Sequence, residues 1–223
     1  LHRVDRRQRQ MCIRDRHITK EKLLSLSLGN FKNYDKDGDS FYDIISAFQK
    51  SIRGSDVDAS LYYLALLIDS EDLDTIYRRM SVIAYEDIGL ANPNIGPFVH
   101  AAIETAKMLG LPEARIPLAN AVIQLALSVK SNTAITAIDS ALSEIKTNPK
   151  FVIPDHLRDS HYYGADKLNR GVGYKYPHSH PSGYIKQQYL PDNLVGRSFY
   201  TPKTNNKNEQ NLAQYKKFVD NSK

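Results

Sequence analysis

The chain has 223 residues, room for one large or two small domains, and its 41% hydrophobic content can supply a core. It contains no run of about 18 apolar residues and no charged-apolar-small signal segment, so neither a membrane span nor secretion is indicated, and the single cysteine, Cys12, excludes an internal disulfide framework and makes a cytoplasmic location the default. The net charge of +5 is unevenly spread: residues 1–22 carry +5, residues 41–160 carry −5 and residues 161–223 carry +6.

The opening stretch LHRVDRRQRQMCIRDR is Arg-rich without a helical or strand period, and residues 1–16 read as a non-native leader outside any functional argument. The basic pI disappears with it. HITKEKLLSLSL begins at residue 17, with Thr19 as a helix cap, and runs into the linker NYDKDGDS, so residues 17–40 form a separate stretch. In FYDIISAFQKSI the apolar Phe41, Ile44, Ile45, Phe48 and Ile52 recur at three- and four-residue spacing and predict a helix. Gly54 suits its left-handed stop, and Ser55 with Asp58 makes a capping box for the next helix. That helix carries Leu61, Leu64, Ala65 and Ile68 inward, and a third follows from about Asp72 with Ile76, Met80, Ile83 and Ala84.

Gly89 and Asn92-Pro93 end the third helix, and a fourth runs from about Pro93 to Gly110. Pro112 opens a fifth in which Ile116, Ala119, Val122, Ile123 and Ala126 line up, with Pro117 near its first turn. Ser131 caps a sixth, with Ile135, Ile138, Leu142 and Ile145 inward. After Pro149 no sustained period appears. Residues 161–202 hold seven Tyr and most of the late Gly and Pro, and predict an irregular arm; residues 203–223, rich in Asn and Lys, predict a loose, flexible tail. The expected fold is all-α: a compact bundle of about six helices over 41–160 with an irregular, aromatic and basic C-terminal arm.

Several candidate sites have plainer readings. No G-x-x-x-x-G-K-[ST] string occurs, and Gly171 and Gly173 in NRGVGYKY lack the Lys-Ser/Thr that a phosphate loop needs. Asp35, Asp37 and Asp39 resemble the start of a calcium loop, but Ser40 and Ser46 stand where its Gly and bidentate Glu belong. His156, His161, His178 and His180 lack the cysteine support or helical spacing of a zinc site. Glu86 and Asp87 are adjacent on a helix and face apart, so they read as structural and not as a catalytic pair.

The arm has a binding reading. Arg158, Lys167, Arg170, Lys175, Lys186 and Arg197 interleave with tyrosines that include Tyr176, the mixture of a surface that neutralises phosphate and stacks bases. Candidate nucleic-acid contacts are therefore Arg158, Lys167, Arg170, Lys175, Tyr176 and Lys186. The competing reading has the tyrosines packing the arm onto the body. In the helix at 55–68, Leu61, Tyr62, Tyr63 and Leu66 spread around more of the circumference than one core stripe requires, which marks them as candidate oligomer contacts.

Four segments in order, SIRGSDVDASLYYLALLI at 51–68, YEDIGLANP at 85–93, LPEARIPLANAVIQLALSVKSN at 111–132 and GYKYPHSHPSGYIKQQYLP at 173–191, resemble the C-terminal region of the replication-associated recombination protein A family. These are MgsA-type bacterial AAA+ ATPases similar to the Werner helicase-interacting protein, and the resemblance covers roughly residues 17–202. It implies that HITKEKLLSLSL ends an ATPase lid and that the bundle is the oligomerisation domain of a clamp-loader relative acting at stalled replication forks. It also implies a homotetramer, ATP and Mg in an N-terminal half, DNA contacted through the full-length protein, single-stranded DNA-binding protein as a partner, and no membrane. No catalytic, cofactor-binding or metal residue carries over. The alternative is a stand-alone nucleic-acid-binding helical module that uses the arm. In either case the purified chain should neither bind nor hydrolyse ATP. A melting temperature unmoved by saturating Mg-ATP is the expected result, and stabilisation of about 2.7 kcal/mol, as at a hundredfold excess over Kd, would overturn it.

Overall fold

The computed structural model describes residues 39–160 and 170–222. The leader at 1–16, the lid-like stretch with Thr19, Asp35 and Asp37, and His161, Tyr162, Tyr163 and Lys167 lie outside the described residues. Among the described residues all regular structure is helical. Helix α1 (Asp39–Arg53) buries Phe41, Ile44, Ile45, Phe48 and Ile52, the five positions that its spacing predicts. Helix α2 (Val57–Asp69) packs against α1, and α3 (Leu73–Ile83) fits beside both. A π turn (Ala84–Ile88) and a 3-10 turn (Gly89–Ala91) follow, with Gly89 at a φ of 43° that favours glycine. Helix α4 (Ile95–Leu109) stops at Gly110 and packs on α5 (Arg115–Leu127), which also lies against α2. Phe48, Ile52, Leu67, Met80, Ile83, Ile88 and Leu125 are fully buried in the shared core, each contributing about 1.5–3 kcal/mol by leaving water.

Local corrections follow from turn geometry. The left-handed residue between α1 and α2 is Ser55 (φ 61°) and not Gly54, because the turn closes one residue later, with the Asp56 N–H donating to Ser51 O at 3.0 Å. The cap of α2 is accordingly Asp56, whose Oδ1 accepts from Ala59 N at 2.9 Å. Helix α5 starts at Arg115 and not at Pro112, and it buries Leu118, Ala121, Val122, Leu125 and Ala126 while Ile116 and Ile123 are exposed. Pro117 does sit in its first turn.

Two corrections are larger. Helix α6 (Thr133–Thr147) starts at Thr133, with Asn132 and not Ser131 in the cap position, and Ile138, Leu142 and Ile145 face solvent instead of the core. Apolar spacing identifies a stripe but not what the stripe meets. Here α6 touches the π and 3-10 turns near its start and then leaves the body. The residues expected to be a loose tail contain a seventh helix, α7 (Lys207–Asn221). Its reason is local: the Asn206 side chain accepts from Glu209 N at 2.8 Å, an N-cap that outweighs the unpromising composition. Between α6 and α7 the described arm has only short 3-10 turns, at Asp155–Leu157, Pro177–Ser179 and Asp192–Leu194.

Replacing fully buried Phe48 and exposed Tyr62 separates core from surface on neighbouring helices. Phe48→Ala should cost about 3–5 kcal/mol in urea denaturation, whereas Tyr62→Ala, which loses an edge-on ring contact with Tyr63, should cost no more than about 1.5 kcal/mol.

Candidate functional site

The joint between α1 and the π turn is held by charge. Arg53, in the last turn of α1, donates Nε to Asp87 Oδ1 (2.5 Å) and Nη2 to both Asp87 Oδ2 (3.3 Å) and Glu86 Oε1 (3.1 Å). The hydrogen bond to Asp87 chiefly raises the Arg53 pKa, against partial burial, with further help from the charges of Asp87 and Glu86. One guanidinium thus gathers the two carboxylates, and Asp87 O also accepts from Ser131 N at 2.7 Å. The role is structural, as the sequence suggests for the pair, but the two carboxylates converge on one cation instead of facing apart, in a segment that is a π turn and not a regular α-helix. Lys130 closes the same joint, donating to Ser55 Oγ, Ala126 O and Ser128 O; burial lowers its pKa.

A second polar centre lies where α7 meets the start of α6. The Glu209 side chain is fully buried. Its Oε1 accepts from Thr133 Oγ1 (2.5 Å) and the Lys203 N–H (3.3 Å), and its Oε2 accepts from Asn206 Nδ2 (2.7 Å). Ser131 Oγ lies 3.1 Å from Thr133 Oγ1. Burial alone pushes this carboxyl upward; the donors of Ser131, Thr133, Asn206 and Lys203 together outweigh it and hold Glu209 below the usual carboxylate range. Around this centre Lys203 Nζ reaches Asn132 Oδ1, Asn205 Nδ2 reaches Lys130 O and Asn208 Nδ2 reaches Leu90 O. The Tyr200 phenol beside it is raised by burial and then by the Glu209 charge.

The arm is stitched to this frame. His156 Nε2 and Gln188 O are 2.7 Å apart, Arg197 pairs with Glu144 of α6 at 3.2 Å, and Tyr184 donates its hydroxyl to Val219 O of α7 while its ring meets Phe218 edge-on. Of the candidate nucleic-acid contacts, Arg158 is spent locally on Ile153 O and Asp155, and Arg170 is half-buried. Lys175, Tyr176 and Lys186 are exposed, and Lys167 lies outside the described residues. Of the candidate oligomer contacts, Leu61, Tyr63 and Leu66 are partly buried against the chain's own core, which leaves Tyr62 facing solvent.

The apolar surface that spacing alone does not locate is on α6. Ile138, Leu142 and Ile145 are 55%, 48% and 58% exposed, and Phe151, Val152 and Ile153, which follow the helix in sequence, are exposed as well. The Glu209 centre was also missed, although Asn206 and Glu209 stand at the Ncap-to-N3 spacing of a capping box. Among the described residues no group of three or more His, Cys, Asp or Glu is placed to hold a metal, and no helix is long and apolar enough to cross a membrane.

Residues 54–219 match the family described as MgsA AAA+ ATPase C terminal, and residues 4–53 match the one described as AAA C-terminal domain. The two meet at the joint between α1 and α2. The replication-associated recombination protein A of Bacillus subtilis is 56% identical over 198 residues, covering 89% of this chain and 47% of that protein. Its Escherichia coli K12 namesake is 34% identical over 84% of this chain and 42% of its own length. The ATPase WRNIP1 of Dictyostelium discoideum is 32% identical over 84% of this chain and 22% of its own length. The chain thus spans less than half the length of these relatives.

The Glu209 centre makes a pH-dependent prediction. A carboxylate depressed in the folded state contributes its stability above the unfolded value of about 4.3 and loses it as pH falls through the folded value. Glu209→Gln should therefore cost about 1–3 kcal/mol at neutral pH, and the deficit should shrink as denaturation is repeated from pH 5 towards pH 3. A deficit constant with pH would show that the charge is not what stabilises the joint.

Proposed function

Because the chain belongs to the MgsA AAA+ ATPase C-terminal family, we propose that it is the subunit-joining region of a longer replication-associated ATPase and performs no nucleotide chemistry itself. In this reading ATP and Mg bind in an N-terminal half, and the assembled protein works in the cytoplasm on DNA at stalled replication forks with single-stranded DNA-binding protein as a partner. The relatives' names, replication-associated recombination protein A and ATPase WRNIP1, support the replication and ATPase parts of that reading. The observation that carries the joining role is the open face of α6.

That face has the pattern of a helix built to meet its own copy. Ile135, Ile138, Leu142 and Ile145 follow 3-4-3 spacing, the a and d positions of a helix seam. Asp139 and Lys146 then fall at the two flanking e positions. Laid antiparallel on a second copy, the seam buries its apolar residues and brings Asp139 towards the other copy's Lys146, twice by symmetry. Such a pairing is isologous and yields a dimer. The adjoining Phe151, Val152 and Ile153 are exposed and supply a second patch through which two dimers form a tetramer.

Sedimentation velocity at micromolar protein should report a mass near four times 25.3 kDa. The double substitution Leu142→Glu with Ile145→Glu should reduce that mass while leaving the circular dichroism unchanged, since both side chains already face solvent. A wild-type monomer at every concentration and salt would refute the joining role.

A further inference from the structure

We propose that residues 174–189 of the arm form a platform for single-stranded nucleic acid, with Tyr174, Tyr176 and Tyr189 as stacking rings and Lys175 and Lys186 as phosphate contacts. The platform goes beyond the subunit-joining role, uses different residues and can be tested separately from assembly.

The structure divides the arm's tyrosines by what they touch. Tyr184 is an anchor, bound to Val219 O and packed on Phe218, and Tyr200 turns inward beside Glu209. Tyr174, Tyr176 and Tyr189 are each about half exposed and, among the described residues, hold no part of the arm onto the body through a ring contact. Packing accounts for the first group and leaves the second unexplained.

Gln187 assembles that second group. Its Oε1 accepts from Lys175 N at 3.1 Å, and its Nε2 donates to Lys175 O at 2.8 Å and to Tyr189 Oη at 2.7 Å. One amide thus clips the 174–176 segment beside 187–189 and brings Tyr189 next to Lys175. The backbone at Tyr176 is extended. Tyr174 and Tyr176 stand two residues apart, the spacing that in extended chain places side chains on one face roughly 6.6 Å apart, and exposed rings of this kind are what a single strand stacks its bases on. The ring of His178 lies beside that of Tyr176, tilted, with the centroids 5.2 Å apart.

Charge agrees with the rings. Lys175 and Lys186 are exposed and, among the described residues, neither has a carboxylate partner, whereas Arg158 and Arg197 are already paired with Asp155 and Glu144. From residue 170 to 202 the one acid is Asp192, which accepts from Gln188 Nε2 at 2.6 Å. A phosphate chain along this stretch therefore meets more cations than carboxylates. The rings favour a single strand, because a duplex hides its base faces and the described part of the arm has only short 3-10 turns to offer a groove.

The test is fluorescence anisotropy with labelled oligo(dT), oligo(U) and a duplex of equal length, at about 50 mM and 150 mM salt. Single strands should bind more tightly than duplex and quench tyrosine emission, which is readable because the chain has no Trp. A preference between oligo(dT) and oligo(U) identifies the natural strand; equal binding identifies the shared chemistry of base and phosphate, and both support the platform. Tyr174→Ala with Tyr176→Ala should weaken binding by about tenfold or more, while the Phe versions retain it, since stacking needs no hydroxyl. Lys175→Ala with Lys186→Ala should flatten the salt slope by about 1.4, the value for two phosphate contacts. The assembly variant Leu142→Glu with Ile145→Glu should still bind, which separates loss of the platform from loss of subunit joining. No binding at about 50 mM salt, equal affinity for duplex, or wild-type affinity in the double Tyr→Ala variant would overturn the proposal.

Discussion

The buried carboxylate of Glu209 is the interaction on which the outer half of the molecule depends. An unpaired charge in that position would cost several kcal/mol, and the site is tolerable because Thr133, Asn206 and the Lys203 N–H all point donors at it. Those donors come from the first turn of α6 and from the strap that leads into α7. One carboxylate therefore fixes where α6 departs and where α7 docks. The open face of α6 and the anchoring of the arm on Phe218 and Val219 both inherit that geometry. A neutral hydrogen-bonding residue would fill the space but would lose the charge-assisted strength of the contacts, roughly twice that of neutral ones.

The inner half is held differently. There the apolar stripe of α1 meets α2, α5 and α3, and the Arg53 bridge aligns the π turn: its more exposed branch to Glu86 contributes about 0–1 kcal/mol, and its branch to the buried Asp87 chiefly offsets the cost of burying that carboxylate. The turn matters for geometry: it brings Asp87 O against Ser131 N, and Ser131 belongs to the Glu209 centre. The two polar joints are thus linked through three residues, Ser131 to Thr133, and the direction of α6 is set by both.

What the sequence made legible follows what each pattern physically encodes. The stripe of Phe41, Ile44, Ile45, Phe48 and Ile52 was readable because a residue buried against several helices must recur with the helical period. The stripe of Ile135, Ile138, Leu142 and Ile145 has the same period, yet most of it faces water, because periodicity states that a face is apolar and is silent about its partner. Helix α7 was missed since its Asn and Lys content argues for disorder, while its reason to fold is the Asn206 cap and one buried acid 76 residues in sequence from Thr133. Turn details failed by a single residue, Ser55 for Gly54 and Asp56 for Ser55, where one backbone hydrogen bond decides the register. The arm's mixture of cations and rings was visible; which tyrosines anchor and which face outward is a tertiary fact, set by Gln187 and Phe218.

Charge distribution ties the two surfaces together. The body from 41 to 160 carries −5, whereas residues 161–223 carry +6 and expose Lys175 and Lys186, so net charge favours the arm over the body as the surface for a phosphate chain. Arg197, paired with Glu144, is the cation spent on holding the arm to α6. A platform of three rings and two lysines is a weak site when alone. Subunits joined along α6 would set several such platforms at fixed separations, and a strand long enough to span two would bind the second at a high effective concentration, raising avidity without any new contact. α6 carries the arm through Glu144 and exposes Ile138, Leu142 and Ile145; if copies join along that face, the spacing between platforms would be set by the geometry of α6 and not by the arm's own irregular backbone.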